Sequence, residues 1–281
     1  MPADFFVNRD KELQRFLAPS GKPVLVVHGE NGVGKSALRR RMETACETRK
    51  VLVEWRRTRA HDHVGIMMAV AEAAAAAFSE FSTLLARFDE ADRSITVNLR
   101  TSGAIEVARD AHLQNVGTVN ATAVNIEQVV AGPLGNGLAA NRLTRLTDTF
   151  LRCLASCAVE EPLVIFLDAF EMAGIGTKEW LWSEFAAAFD DDSLQRIRLV
   201  IFTSEKPKIE SHVQRHVDVL PLEPLSVQHV VDYMQRRGVS LSAEQLDLVA
   251  EGVIAATSGN MIGIVTAVEA MLARQTAAGR K

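Results

Sequence analysis

The stretch Pro23-Val-Leu-Val-Val-His28-Gly29-Glu-Asn-Gly-Val-Gly34-Lys35-Ser36 sets an apolar run, Val24 to Val27, directly before a glycine-studded loop, and a helical pattern follows. The spacing matches GxxxxGK[ST] in the strand–loop–helix setting that gives the motif its meaning. Glycines let backbone N–H groups turn inward and approach phosphate oxygens closely. A helix beginning near Lys35 adds the positive end of its dipole. The Lys35 ammonium suits the β- and γ-phosphates, and the Ser36 hydroxyl suits a magnesium ion. Gly29, Glu30, Asn31, Gly32, Val33, Gly34, Lys35, Ser36 and Ala37 are therefore candidate binding residues for a polyphosphate tail. Average composition yields such a match in roughly one chain per hundred of this length, and the flanking strand and helix make chance rarer still.

Outward from this loop, short apolar runs alternate with longer helical patterns, which predicts an α/β protein with a mainly parallel central sheet. The strand candidates are Pro23–His28, Val51–Arg56, Leu163–Asp168, Ile197–Ser204 and His216–Leu220. The second is the least apolar and suits a place near an edge, whereas the third and fourth are nearly continuous apolar runs, as central parallel strands are. Helices are expected over Lys35–Thr48, Val64–Phe88, Leu143–Ala158 and Thr177–Phe189. The region from Asp92 to Asn141 turns polar, with alternation at Ile95, Val97 and Leu99 and again at Val124 and Ile126, and reads as an insertion with short strands or hairpins and a loop at Gly132–Gly137. From Ser226 onward three helices are expected, Ser226–Arg237, Ser242–Thr257 and Asn260–Thr276, with Ser226 and Ser242 as N-caps.

Composition narrows the classes of function. The chain has 281 residues, 48% hydrophobic and 23% charged, as an ordinary globular protein has. A net charge of −4 argues against a surface built to coat nucleic acid. Three cysteines make no disulfide framework and suit a reducing compartment. Met1 to Asp10 has no apolar signal core, and Ile66 to Phe78 is interrupted by Glu72 and too short to span a bilayer. A soluble cytoplasmic protein is expected.

Pro162-Leu-Val-Ile-Phe-Leu-Asp168 is a buried strand that ends in a carboxylate, as the magnesium shell of a phosphate-loop protein requires. Glu171 is the nearest further acid, a candidate to position the attacking water if the chain turns tightly after the strand; its bland alternative is a helix-start acid. Thr203 ends another apolar strand, either to sense a γ-phosphate or only to satisfy strand-end backbone groups. Candidate catalytic residues are thus Lys35, Asp168, Glu171 and Thr203, and candidate magnesium ligands are Ser36 and Asp168.

In their order along the chain these pieces resemble the STAND ATPases (signal-transduction ATPases with numerous domains) and their AAA+ and origin-recognition-like relatives, all three-layer P-loop NTPases. Phe5-Phe6-Val7-Asn8-Arg9-Asp10-Lys11-Glu12-Leu13 is similar to their N-terminal hh-G-R-x-x-E-L segment, with Asn8 in place of glycine. In the family that segment packs over adenine, so the resemblance makes Phe6, Val7, Asn8 and Arg9 nucleotide-pocket candidates. Leu220-Pro-Leu-Glu-Pro-Leu-Ser226 resembles the entry to a small helical lid, and Ser258-Gly259-Asn260-Met261 sits where many members have Gly-x-Pro. The resemblance implies a P-loop ATPase domain over 1–221, with an insertion at about 92–141, and a lid over 222–281. It also implies ATP and ADP as ligands with Mg2+, slow hydrolysis, switching between nucleotide states, and homo-oligomerisation or a protein partner met through the insertion or the lid. A non-hydrolysing nucleotide-binding scaffold and a DNA-associated AAA+ loader are the alternatives; the net charge disfavours the second. Two departures stand out: Glu205 and Lys206 follow Thr203-Ser204 where relatives often have arginine, and Met261 replaces the proline.

Other signals are weaker. Arg39-Arg40-Arg41 reads as a solvated helix face. Arg56, Arg57 and Arg59 read as surface arginines, with an arginine finger as the alternative. His61-Asp62-His63 has too few ligands for a metal site, and Cys153 and Cys157 fall on one helix face as two buried small residues.

Overall fold

The computed structural model describes residues 9–18, 21–54, 62–73, 78–87 and 133–278. Five strands form one sheet: β1 (Val24–His28), β2 (Arg49–Glu54), β3 (Leu163–Asp168), β4 (Ile197–Thr203) and β5 (Val217–Pro221). Their order is β2-β3-β4-β1-β5, and every pairing is parallel. The least apolar strand, β2, is indeed at an edge, with a burial pattern that alternates, while β3 and β4 are central and buried almost throughout.

Both sheet faces are covered, as parallel sheets demand. Leu25, Val27, Val164, Phe166, Val200 and Phe202 form one core with Leu38 and Met42 of α2 (Lys35–Ala45) and Leu13 and Phe16 of α1 (Asp10–Leu17). The alternate residues Val24, Val26, Ile165, Leu199 and Ile201 are fully buried too. These features make the molecule a three-layer α/β protein. By contacts the chain divides into two compact units, Met1–Val70 with Ala158–Lys281, and Ala71–Cys157.

The second unit holds α4 (residues 79–87) and most of the helix α5 (Pro133–Glu160), while α3 (His63–Ala73) starts in the first. Phe78, Phe81 and Phe150 form a buried aromatic triad with centroids 5.7–6.3 Å apart. The expected loop at Gly132–Gly137 is corrected: α5 runs from Pro133, a residue suited to the first helical position because its missing N–H would have no intrahelical partner. Leu146, Phe150, Leu154 and Cys157 recur three or four apart and are buried, and Cys153 joins them, so a long apolar stripe outweighs the poor propensity of Gly135 and Gly137. The strands expected at Ile95–Leu99 and Val124–Ile126 lie outside the described residues.

The helix expected over Thr177–Phe189 is corrected as well. Regular α6 spans only Ile175–Trp180; a π turn covers Leu181–Phe185 and a 3-10 turn covers Ala187–Asp190. Trp180, Leu181 and Trp182 are consecutive and all buried, which one face of a regular helix does not accommodate. The Ala186 N–H donates to Leu181 O at 2.8 Å, the five-residue step that widens the turn.

The C-terminal helices are α7 (Val227–Arg236), α8 (Ala243–Thr257) and α9 (Met261–Ala278), with a core of their own that includes Val230, Met234, Leu246, Ala250, Ile264 and Val268. Both expected N-caps are present. Ser242 exchanges bonds with Gln245: its backbone N–H donates to Oε1 at 3.1 Å, and its Oγ accepts the Gln245 N–H. At Ser226 the partner is a histidine: the Ser226 N–H donates to His229 Nδ1 at 3.0 Å. That acceptor exists only on a neutral ring. Burial first, and the Arg9 charge second, hold His229 below its ordinary pKa. Because the folded pKa lies below the unfolded one, stability is complete above ~pH 6.5 and declines as pH falls toward the folded value. The denaturation midpoint is therefore expected to drop between ~pH 7.5 and ~pH 5.5. His229→Gln, whose amide oxygen accepts without titrating, is expected to reduce that drop; His28 and His63, also held low, keep it from vanishing. Urea titrations at the two pH values check this.

Candidate functional site

The expected phosphate loop sits between β1 and α2. Gly32 and Gly34 take φ values of 86° and 106°, the left-handed region where side chains are strained. A Cβ on Gly32 would collide with the Asn260 side chain, and one on Gly34 would meet Met261 Sδ at 2.7 Å. The loop is thus a glycine-dependent turn ending at a helix N-terminus. Lys35 curls back over it and donates from Nζ to Gly29 O at 2.6 Å and Glu30 O at 2.9 Å. Beside it lies a cavity of about 460 Å³ whose walls include Asn31, Gly32, Gly34, Lys35, Ser36 and Ala37 of the loop, Asp168 at the end of β3, Glu171 just after it, and Glu54 at the end of β2.

Other members of the loop have structural work. Val33 is buried in the core beneath it, and Gly29 donates to Thr203 O at 3.3 Å. Glu30 gives its carbonyl to Lys35 and to the Val33 N–H.

The turn after β3 is tight, as Glu171 requires. Ala169 takes φ 60°, and a 3-10 turn at Phe170–Met172 follows. The Ala169 N–H donates to Asp168 Oδ1 at 3.0 Å. A left-handed alanine stores strain of the kind found where a site dictates the backbone. The turn brings Glu171 to the cavity, where its Oε2 accepts the Ser204 N–H at 3.0 Å. Thr203 is buried and absent from the cavity wall, and its Oγ1 accepts the Glu205 N–H at 3.2 Å. That is the strand-end arrangement, not a hydroxyl presented to a ligand. Glu205 itself pairs with Lys178 at 3.3 Å.

Arg39 overturns the expectation of a solvated arginine face. It is 4% exposed. Its guanidinium pairs with Glu43, reaches Glu54 Oε1 at 3.0 Å, and places Nε 3.0 Å from Asp168 Oδ2, in ion-pair range though not aligned as a hydrogen bond. One buried cation therefore gathers three carboxylates. Arg40 stays exposed, as expected, and Arg41 pairs with Asp10 at 2.6 Å. Sequence reasoning missed both Arg39 and Glu54. The available signal was an apolar strand closing on an acid at Glu54, obscured because that strand was expected to continue to Arg56.

Arg9 is buried, with φ 108°. It donates to Val33 O at 3.2 Å and to Glu223 O at 2.6 Å, and pairs with Glu12 at 3.0 Å, so it ties the loop to the segment leading into α7. It does not line the cavity. Phe6, Val7 and Asn8 lie outside the described residues, as do Arg56, Arg57, Arg59 and His61. From the other side, Asn260 and Met261 close on the loop: Asn260 Nδ2 donates to Asn31 O and the Met261 N–H donates to Gly32 O, both at 2.9 Å. Asn260 also caps α9, its Oδ1 accepting the Ile262 and Gly263 N–H groups.

The residues fit a magnesium-bound polyphosphate. Ser36 and Asp168 offer hard oxygen donors on one cavity wall, the donor set that Mg2+ completes with phosphate oxygens and water. Among the described residues no group of three or more His, Cys, Asp or Glu could hold a metal alone, so a cation there would share its shell with phosphate.

Fold and loop together define a P-loop nucleoside triphosphatase. More narrowly, residues 6–207 match the family model described as an AAA ATPase domain, and the chain belongs to that family, a nucleotide-binding ATPase group. Among solved structures it is similar to a STAND protein with a tetratricopeptide-repeat sensor from Pyrococcus horikoshii, at 14% identity and TM-score 0.53, over 92% of this chain and 29% of that one. It is also similar to Cdc6p from Pyrobaculum aerophilum, at 14% identity and TM-score 0.49, over 99% of this chain and 67% of that one. A Walker-type ATPase of Pyrococcus abyssi matches at 14% identity and TM-score 0.45, over 98% and 74%. No curated protein sequence matches the chain. Among the described residues no helix is long and apolar enough to cross a membrane.

Removing the Arg39 guanidinium would leave Glu43, Glu54 and Asp168 facing one another across a partly dry site. Arg39→Ala is expected to lower unfolding free energy by about 3 kcal/mol, the scale for breaking a buried pair. Denaturant titration checks it; a loss below about 1 kcal/mol would assign the cluster to the surface-pair class.

Proposed function

We propose that this protein is a magnesium-dependent ATPase that acts as a nucleotide-controlled switch in signalling or assembly, with α7–α9 as its lid. Lys35 and the loop amides hold the β- and γ-phosphates, and Ser36 and Asp168 hold the metal. Mg2+ would neutralise charge on the phosphate oxygens. Arg9 braces the loop against the lid segment, and the preceding residues Phe6, Val7 and Asn8 cover the base. Glu171 joins the cavity to the end of β4 through the Ser204 amide. Three buried cysteine thiols suit the cytoplasm.

The observation that carries the switch is the contact between α9 and the phosphate loop. The Gly32 and Asn31 carbonyls accept from Met261 and Asn260, so a ligand that reshapes this loop acts directly on the lid's third helix. A ligand shifts such an equilibrium only by its differential affinity for the two lid positions, and ATP and ADP differ at the γ-phosphate that this cavity would receive. Oligomerisation follows as an expectation, through the lid or the 92–141 segment, with nucleic acid disfavoured by the net charge of −4.

Lys35→Ala is expected to abolish ATP and ADP binding, measured by calorimetry, while leaving the fold intact. Phosphate release by the unmodified protein separates an ATPase from a scaffold that holds nucleotide without turnover. Mass in solution with ADP and with a non-hydrolysable ATP analogue reads the switch; identical masses and identical lid protection in hydrogen exchange would remove it.

A further inference from the structure

We infer that Glu54 is the carboxylate that activates the attacking water, a role that rests on the ATPase reading above. Glu54 ends β2, and Asp168 ends β3, directly opposite in the parallel register. Paired residues on adjacent parallel strands are about 5 Å apart and face the same side of the sheet. Glu54 carries one more methylene than Asp168, so it reaches further from the shared strand ends. Both line the cavity that the phosphate loop opens into.

Position across the sheet separates the acids. The strand order β1-β4-β3-β2 leads from the phosphate loop at the end of β1 to Glu54 at the end of β2. In-line displacement needs the nucleophile on the side of the γ-phosphorus away from the bridging oxygen. With the tail anchored at β1 and Asp168 on β3 toward the metal, that far side would face β2. Glu171 has its Oε2 engaged by the Ser204 N–H just beyond the end of β4, the strand beside β1. Glu54 is instead held by Arg39, whose NH2 donates to Oε1 at 3.0 Å and fixes the direction of the carboxylate.

The step balances as follows. Water oxygen bonds to the γ-phosphorus, the bond to the β,γ-bridging oxygen breaks, and its electron pair leaves on ADP. Glu54 takes one proton from the water and returns it to the released phosphate or solvent.

The test compares Glu54→Gln with Glu171→Gln in the full chain, by phosphate release with saturating Mg·ATP, by calorimetry with Mg·ADP, and by thermal melting. The amide oxygen introduced by Glu54→Gln would still accept from Arg39, so binding should persist. Glu54→Gln is expected to lower kcat by about 100-fold or more, the range of general-base loss, with the Mg·ADP Kd within about threefold. Glu171→Gln is expected to lose less than about tenfold. If Glu54→Gln melts early, Glu54→Asp takes its place; it keeps the charge beside Arg39 but retracts it, and a kcat loss of about tenfold or more supports the role. Glu54→Gln, or a folded Glu54→Asp standing in for it, with kcat within about threefold of the unmodified protein overturns it. If the unmodified protein binds nucleotide and releases no phosphate, the ATPase reading fails and Glu54 falls with it; turnover that survives loss of Glu54 sinks this inference alone.

Discussion

Parallel pairing in fixed register is the constraint on which everything else at this site depends. Because all the strands of the sheet run the same way, their C-terminal ends collect along one edge: His28 beside Thr203, and Glu54 beside Asp168. A chain that reaches this edge leaves it through a loop, and the loops become the walls of a cavity. The sheet interior supplies no chemistry; its Val, Leu, Ile and Phe residues are there to be buried. Burial is strong enough to hold a strained Ala169 at the edge, and glycines take the two left-handed positions of the loop without strain.

Charge balance is the second constraint. Three carboxylates surround one buried guanidinium, leaving the cluster acidic before any ligand arrives. Such an excess in a partly desolvated place is costly; Lys35 and Arg40, which line the same cavity, offset part of it, and the proposed Mg2+ would offset more. The same Arg39 that relieves the excess contacts Asp168, the acid expected to meet that cation. Arg39 is one helical turn after Ser36, so the two residues proposed to hold the ion and the arginine beside them come from one turn of α2 and one strand end. At the end of β1, burial first and then the charges of Lys206 and Lys35 hold His28 below its ordinary pKa, so the loop does not gain another cation on its own account.

Much of this was legible in the residues. The phosphate loop with its preceding strand, Asp168 as a strand end, and the caps at Ser226 and Ser242 rest on local rules of spacing and chemistry, and the structure bears those rules out. What escaped was set by tertiary contact. Arg39 looks like its neighbours Arg40 and Arg41 in sequence, and only the approach of β2 and β3 makes it the one that is buried. Glu54 was hidden by a strand end expected two residues late. The π turn after Trp180 and the helical start at Pro133 come from packing that overrides propensity. Thr203 was legible as a strand end but not as to where its hydroxyl points; a backbone N–H two residues on claimed it.

Met261 shows how a departure from a family pattern can carry its own physics. Proline at this position has no N–H, whereas Met261 donates one to Gly32 O, inside the phosphate loop. Asn260 adds a second bond to the neighbouring carbonyl while its Oδ1 caps α9. Proline would start the helix well but would leave the Gly32 carbonyl without this donor. The substitution therefore trades a rigid helix start for a hydrogen bond between α9 and the loop, and Asn260 supplies the cap that the helix still needs. The coupling is short: the loop whose shape the phosphates would set is the loop bonded to the start of α9.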